Sequence, residues 1–157
     1  MSDPVKSMNI TSGDLGMDIL EFSGEYRWLS NFWTCKVTLD GVSYASVENA
    51  YQAAKTAKHF RTPFESCNAA QAKKLGRLIG IRPDWDLVKI DVMRSLIEQK
   101  FEPGSELALR LVNTGNVLIV EGNSWGDTFW GVCKGRGLNK LGEILMVQRM
   151  RLSSDVA

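Results

Sequence analysis

The segment from Trp125 to Gly131 carries the residue types that most directly suggest chemistry. It reads Trp-Gly-Asp-Thr-Phe-Trp-Gly, so Asp127 lies among two indoles and two glycines. Glycine lets a backbone approach a ligand closely, indole faces stack on flat heterocycles, and a nearby carboxylate binds a sugar hydroxyl or assists proton transfer. The alternative is a core-filling turn in which Asp127 accepts hydrogen bonds from local backbone N–H groups. The segment alone leaves both interpretations open.

A predicted helix supplies a second candidate set: an acid, a hydrogen-bonding side chain and an amine. Positions i, i+3 or i+4, and i+7 are occupied by Glu48, by Tyr51 or Gln52, and by Lys55, which places them on one helix face. The intervening residues are small, which favours close packing within the domain; they are Ala50, Ala53, Ala54 and Ala57. This face is predicted to line a cleft, and a solvated surface is the alternative.

Further candidates lie in an aromatic run over residues 26–33 and just before Asp127. Arg27, within the run, either binds a phosphate beside a stacking surface or pairs with a carboxylate in the core. Glu121 and Asn123 precede Asp127 and are expected to belong to the same wall. The next predicted helix carries a basic face, for which solvated charge is a more common role than phosphate binding; its residues are Lys73, Lys74 and Arg77.

The composition excludes several classes of function. With 157 residues, the chain has the length of one ordinary domain, and its net charge of +1 offers no footprint for sustained binding along a nucleic acid. His59 is the only histidine, so a metal site or a histidine-based catalytic triad lacks partners. The three cysteines have no CxxC spacing. Because no apolar run approaches the roughly 18 residues that span a bilayer, we expect a soluble cytoplasmic protein without membrane contact.

Local patterns predict the elements that must position these residues. Asp40-Gly41 is the turn of a predicted hairpin over 36–44, and Ser46 resembles the N-cap of a helix over 47–59. Further helices are predicted over 62–80, 84–101, 106–113 and 138–151, and short strands over 17–22 and 117–121. We expect a flexible lead-in over 1–16, one domain over 17–152 and a tail over 153–157. The pattern indicates an α+β fold dominated by helix.

The chain also contains an ordered series of short motifs. They are Trp28-Leu-Ser-Asn31-Phe32, Asp40-Gly41, Ser46-Val-Glu48-Asn-Ala-Tyr51-Gln52-Ala-Ala-Lys55, Ala72-Lys73-Lys74-Leu-Gly76-Arg77, Arg82-Pro-Asp84-Trp85-Asp86, Lys100-Phe101, Leu111-Val-Asn-Thr114-Gly115, Glu121-Gly-Asn123 and Trp125-Gly-Asp127-Thr-Phe-Trp130-Gly131. This series resembles the NADAR family, and its YbiA-like members are the nearest pattern. The resemblance covers roughly residues 22–150, and the series is far more specific than any single motif.

The resemblance implies a single compact α+β domain, mostly helical with a small antiparallel sheet, as in YbiA-like proteins. It implies cleavage of N-glycosidic bonds in ADP-ribose-related or riboflavin-precursor compounds, without a metal or organic cofactor. Carried over by motif, Glu48, Lys55, Glu121, Asp127 and Trp130 are expected at the pocket, with Asn31, Phe32 and Trp85 on its wall. The local patterns add Arg27, Tyr51, Asn123 and Trp125 as substrate-binding residues. Glu48, Lys55 and Asp127 are the expected catalytic residues, for the chemical reasons that follow.

Cleavage of a ribose C1–N bond builds oxocarbenium character on the sugar. A carboxylate stabilises that charge or activates water, while an acid helps the nitrogen to depart. Glu48 or Asp127 is the hypothesised carboxylate. Alternatively, a desolvated Lys55 attacks C1 of a ring-opened ribose and forms an imine.

Three functions follow from these observations. The first is a glycohydrolase for an ADP-ribosylated base or nucleotide, either free or carried on a nucleic acid. The second is an N-glycosidase for a ribosylaminopyrimidine phosphate of riboflavin synthesis. The third is a non-catalytic sensor of ADP-ribose or NAD. All three require that the helix bearing Glu48 folds against the tryptophan-rich turn, so that their acids share one cavity.

Overall fold

The computed structural model describes residues 16–155 and has an α+β architecture in which helices predominate. The elements are a 3-10 helix (Gly24–Leu29), β1 (Thr34–Leu39), β2 (Val42–Ser46), α1 (Val47–Ala54), a second 3-10 helix (Lys58–Phe60), α2 (Pro63–Ser66), α3 (Ala69–Gly76), α4 (Trp85–Lys100), α5 (Glu106–Asn113), β3 (Gly122–Asn123), β4 (Val132–Cys133) and α6 (Lys140–Asp155). The predicted fold class is confirmed. The predicted lead-in over 1–16 lies outside the described residues except for Gly16, and the predicted tail begins inside α6.

The predicted hairpin is confirmed, and it leads directly into the first helix. Asp40 and Gly41 have φ values of 49° and 80°, the positive pair that a type I′ turn requires. The strands β1 and β2 pair antiparallel around this turn. The Arg61 guanidinium donates to the Asp40 carboxylate at 2.6 Å and lowers the pKa of that carboxyl, so the turn is tied to the chain that follows α1.

The helix α1 is the centre of the domain, because all eight of its residues are buried. Its predicted cap is confirmed, since the backbone N–H of Asn49 donates to Ser46 Oγ. The helix ends at Ala54 instead of residue 59. Tertiary contacts capture the carbonyl groups that a longer helix would use: the Lys55 carbonyl accepts from Arg82 N at 2.7 Å, and the Thr56 carbonyl accepts from Arg61 Nε at 3.1 Å.

Close packing of α1 against α3 depends on small residues. Gly76 lies against the Gln52 side chain so closely that any Cβ at this position would collide with it. Ala72, one turn earlier, is fully buried. On its other sides, α1 contacts α4 and the β1–β2 hairpin. The side chains on α1 are therefore held by packing on several faces.

The predicted strands over 17–22 and 117–121 are wrong as extended elements. They meet at one parallel bridge between Ile19 and Ile119, where Ile19 N donates to the Leu118 carbonyl and Val120 N donates to the Ile19 carbonyl, both at 2.8 Å. A second short parallel pair, β3 with β4, follows. No helix within residues 16–155 is long and apolar enough to cross a membrane.

Candidate active site

A cavity of about 590 Å³ lies between α1, α3 and three loops. Its size is that of a small-molecule site. The loops contribute residues 21–23, residues 30–32, and residues 121, 122, 125, 127 and 130. Its charged lining consists of the acids Glu21, Glu48, Glu121 and Asp127 and the cations Lys55, Lys73 and Arg77. The expected meeting of the α1 glutamate with the tryptophan-rich turn is therefore confirmed.

Glu48 enters the cavity from the first turn of α1 and is only 8% exposed. Its backbone N–H donates to the Asn31 carbonyl at 3.0 Å, and its Oε1 accepts from Gln52 Nε2 at 2.8 Å. Burial raises the pKa of the carboxyl, and this effect outweighs the opposing influence of Gln52, Lys73 and Lys55. Glu48 is thus a desolvated acid held in one orientation.

Glu121 directly precedes β3, and its carboxyl differs from those of Glu48 and Asp127 in having no hydrogen-bond donor within the described part of the chain. Its Oε2 is buried and has no hydrogen-bond partner among residues 16–155. Burial, together with repulsion by Asp127 and Glu48 and against the attraction of Lys73, raises the pKa of Glu121 to about 8. Gly131 lies directly against this carboxyl, where any Cβ would collide with it. Glu121 therefore holds a proton near neutral pH.

Asp127 has the predicted local turn role and also lines the cavity. Its Oδ1 accepts from the backbone N–H groups of Phe129 and Trp130, at 3.1 and 2.9 Å, which is the local turn role. Its own backbone N–H donates to Asn123 Oδ1, and Asn123 Nδ2 donates to the Asp127 carbonyl. The carboxylate nevertheless lines the cavity. A turn held at both ends therefore positions an acid.

An aromatic cluster joins the turn to α1. Trp130 Nε1 donates to Tyr51 Oη at 2.9 Å, and the two rings meet edge to face with their centroids 5.6 Å apart. Trp85 packs on the Tyr51 ring from α4, at a centroid distance of 5.2 Å. Burial raises the pKa of the Tyr51 hydroxyl, so it remains a neutral hydrogen-bonding group. The cluster fixes the distance between the two elements that bear Glu48 and Asp127.

Three cations face these acids from α1 and α3. The Lys55 ammonium lies 5.2 Å from the Tyr51 ring centroid, and burial lowers its pKa, with Arg77 and Lys73 acting in the same direction. Lys73 Nζ lies 4.6 Å from the Trp125 ring centroid and 5.8 Å from that of Phe32. These two rings are 59% and 42% exposed, so they form an open aromatic rim with a cation between them.

Three of the predicted site residues do not line the cavity. Arg27 is exposed on the first 3-10 helix. Trp85 lies behind Tyr51, and Asn123 is occupied in holding the Asp127 turn. Arg27 is therefore a surface residue and not a residue of the cavity. Trp85 and Asn123 contact residues that line the cavity, which are Tyr51 and Asp127. The remaining predicted residues line the cavity: Asn31, Phe32, Glu48, Tyr51, Lys55, Glu121, Trp125, Asp127 and Trp130.

Sequence reasoning missed several residues of the cavity. Lys73 and Arg77 line the cavity, although the sequence pattern favoured a solvent-exposed role for both. Their i, i+4 spacing on α3, alongside the small residues Ala72 and Gly76, was the available signal. No local signal marks the other missed residues, which are Glu21, Phe22, Ser23, Ser30, Met93 and Gly122. Among residues 16–155, no group of three or more His, Cys, Asp or Glu side chains is arranged to hold a metal ion.

Comparisons with known proteins agree on one family. The model of the NADAR domain matches residues 21–153. A riboflavin biosynthesis protein of Vibrio vulnificus is 36% identical over 132 residues, covering 81% of this chain and 36% of the relative, so this chain spans about a third of that protein's length. An N-glycosidase of Nostoc punctiforme is 36% identical over 132 residues, covering 79% of this chain and 84% of the relative.

The third relative is known from both its sequence and its structure. The N-glycosidase YbiA of Escherichia coli is 30% identical over 159 residues, covering 97% of this chain and 99% of that protein. The NMR structure of E. coli YbiA matches the fold with a TM-score of 0.77, covering 89% of this chain and 86% of that chain. The similarity therefore extends over nearly the whole domain.

Proposed function

This chain belongs to the NADAR family, and from that premise we propose that it is an N-glycosidase that releases the base from a ribosyl nucleotide. The observation that carries the proposal is the convergence of Glu48, Glu121 and Asp127 in one cavity. Two relatives over most of this chain, from Nostoc punctiforme and Escherichia coli, are named N-glycosidases. Buried and half-buried acid residues that line a cavity suit a reaction that develops positive charge on a sugar.

The residues divide naturally between the two tasks of this reaction. A carboxylate of Glu48 or Asp127 stabilises the positive charge at C1 or removes a proton from the attacking water. A protonated acid assists departure of the base nitrogen. Each such group contributes on the order of a hundredfold to ten-thousandfold in rate. The cavity contains candidates for both tasks.

We propose an ADP-ribosylated base or nucleotide as the substrate. Such a substrate carries a second flat ring and a diphosphate beyond the reacting ribose. The aromatic rim of Phe32 and Trp125, with Lys73 between the rings and Arg77 nearby, offers stacking faces and positive charge for those parts. This rim is the observation that favours the larger substrate.

A ribosylaminopyrimidine phosphate is the second candidate substrate. It is favoured by relatives named riboflavin biosynthesis proteins, from Vibrio vulnificus and Zea mays, although this chain covers 36% and 18% of their lengths. A compound of this size would use the acids and a single cation, and would leave the aromatic rim empty.

Mass spectrometry of reaction mixtures tests the proposal. We expect free base from the ADP-ribosylated compound and slower or no release from the ribosylaminopyrimidine phosphate.

Substitution of Lys73 tests the role of the aromatic rim. Lys73→Gln should raise KM roughly tenfold, because it removes a charge-assisted contact to phosphate. Lys74→Gln is the matched control, since the neighbouring lysine is exposed and lies outside the cavity. Equal effects of the two substitutions would contradict the rim assignment. Tight nucleotide binding without release from either compound would favour a sensor.

Borohydride trapping distinguishes the two chemical routes. If Lys55 attacks C1 of a ring-opened ribose, loss of the base leaves an imine, which borohydride reduces to a stable secondary amine on that lysine. Peptide mass spectrometry would then locate the added sugar at Lys55. If water attacks C1 directly, Lys55 remains unmodified under the same conditions. The lysine route also requires a neutral amine, so its rate should rise with pH through the lowered pKa of Lys55.

A further inference from the structure

The carboxyl of Glu121 differs from the other acids of the cavity in its contacts. Glu48 Oε1 accepts from Gln52 Nε2 at 2.8 Å, and Asp127 Oδ1 accepts from two backbone N–H groups. Among residues 16–155, no donor contacts the Glu121 carboxyl, and its Oε2 is buried without a partner. Hydrogen-bond donors stabilise an ionised carboxylate. Of these three carboxyls, Glu121 is therefore the one that has no donor within the described chain to stabilise its ionised form.

We propose that Glu121 is the catalytic acid of this site and donates its proton to the nitrogen of the departing base. The proposal rests on the N-glycosidase function proposed above. Glu121 lines the cavity although Oε2 is buried against Gly131, so Oε1 is the oxygen open to the substrate. A protonated Oε1 facing the cavity can reach a ligand nitrogen without competition from a protein acceptor.

The proton and electron balance of the step is simple. The C1–N bond breaks, its electron pair stays on the nitrogen, and that nitrogen takes the proton from Glu121. In the direct route, the oxygen of water forms the new bond to C1, and the proton that this water loses passes to the carboxylate of Glu48 or Asp127. In the alternative route, Nζ of neutral Lys55 adds to C1 of the ring-opened ribose and gives a proton to the same carboxylate; loss of the base leaves an imine, which water then hydrolyses to free the sugar and the lysine. Solvent returns a proton to Glu121 after the base leaves. The role of Glu121 is the same in both routes.

Six charged groups line the cavity together with Glu121. They are Glu48 on α1, Lys55 directly after it, Lys73 on α3, Arg77 directly after it, and Glu21 and Asp127 on the loops. Burial is the largest influence, and repulsion by Asp127 and Glu48 exceeds the attraction of Lys73, so the pKa of Glu121 rises to about 8. An acid must be protonated to act, so kcat/KM should fall as the pH rises through this value.

The test combines carboxyl titration with kinetics of Glu121→Gln, and Glu25→Gln serves as the control because Glu25 is exposed and outside the cavity. In protein labelled with ¹³C at the glutamate carboxyl, we expect one resonance to titrate near pH 8 and to vanish in Glu121→Gln. Full ionisation of all glutamates by pH 6.5 would overturn the proposal. This measurement requires no substrate.

The kinetic arm compares two leaving groups on the same ADP-ribosyl moiety. We expect Glu121→Gln to lose a hundredfold to ten-thousandfold on a base that must be protonated to leave. It should lose little on NAD, because nicotinamide departs as a neutral molecule without a proton. The falling limb of the pH profile should also disappear. Equal losses of rate on both compounds would indicate a structural role for Glu121 and would overturn the proposal that it donates a proton to the leaving base.

The two arms separate failure of the acid from failure of the proposed function. If the wild-type protein releases base and Glu121→Gln retains the rate, only the acid assignment fails. If Glu121 holds its proton but the wild-type protein cleaves no candidate, the N-glycosidase function fails, and the acid role fails with it. If Glu121→Gln does not fold, Glu121→Asp retains a carboxyl that is one methylene further from the substrate, and it should show the same dependence on the leaving group.

Discussion

Substitution of Glu48 by glutamine is expected to reduce turnover by about two to four orders of magnitude while the protein remains folded and binds its substrate. Glutamine keeps the size of the side chain and still offers an oxygen to Gln52 Nε2, so the packing of α1 is preserved. What it removes is the negative charge beside the sugar. Stopped assays for kcat and calorimetry for binding measure the two quantities separately.

The companion substitution is Asp127→Asn, which loses the charge of the second carboxylate. The asparagine Oδ1 can still accept from the N–H groups of Phe129 and Trp130, so the turn should persist. Glu65→Gln on α2 is the control, because Glu65 is exposed and lies away from the cavity. Wild-type rates from both Glu48→Gln and Asp127→Asn would remove the carboxylates from the mechanism.

The pH profile adds an independent measurement for Glu48. The raised pKa of this carboxyl means that its ionised form, which the reaction needs, becomes populated at higher pH than for an exposed glutamate. The rising limb of kcat/KM should therefore lie above the ordinary glutamate value of 4.5. Glu48→Gln should flatten that limb as well as lower the rate.

Gly131→Ala is the second substitution with a large expected effect, and it acts on stability and activity together. A Cβ at this position would collide with both the carbonyl and the carboxyl of Glu121. The carbonyl cannot withdraw freely, because it accepts from Val132 N at 2.9 Å. We expect a loss of about 1–3 kcal/mol in the free energy of unfolding from overpacking. We also expect about a hundredfold loss of activity, since Glu121 is displaced.

Urea unfolding and steady-state assays measure these two losses. Gly80→Ala is the matched control, because a Cβ there meets no atom within 4 Å and the φ of Gly80 is not in the left-handed region. The control should be neutral or slightly stabilising, since alanine restricts the unfolded chain. Equal behaviour of the two variants would show that space beside Glu121 is not what requires glycine at position 131.

Local sequence patterns predicted those parts of the fold that depend on neighbouring residues. The Asp40-Gly41 turn and the Ser46 cap were predicted because each involves backbone conformation or hydrogen bonds within a few residues. The helix Glu106–Asn113 has the predicted bounds. The end of α1 at Ala54 was not predictable in this way, because the Lys55 carbonyl accepts from Arg82 N, 27 residues along the chain, and the Thr56 carbonyl accepts from the Arg61 side chain.

The candidate site likewise has features that the sequence predicts and features that depend on packing between distant segments. Sequence motifs pointed to three of the four cavity acids and to most of the aromatic residues, because their chemical types and spacing are visible without coordinates. The tertiary structure alone brought α3 beside α1, so that Lys73 and Arg77 joined the cavity while Lys74 did not. It also placed Trp85 behind Tyr51 and left Arg27 in solvent. Residue type is local, whereas burial and neighbourhood depend on packing between distant segments.

The sequence by itself determined which functional groups the protein possesses and which helix and turn carry them. Only the tertiary structure decided how each acid is surrounded. Burial raises the pKa of both Glu48 and Glu121, but Glu48 receives a hydrogen bond from Gln52 Nε2 and Glu121 receives none among residues 16–155. Two glutamates of identical chemistry thus differ in their partners because packing between distant segments places different groups beside each one.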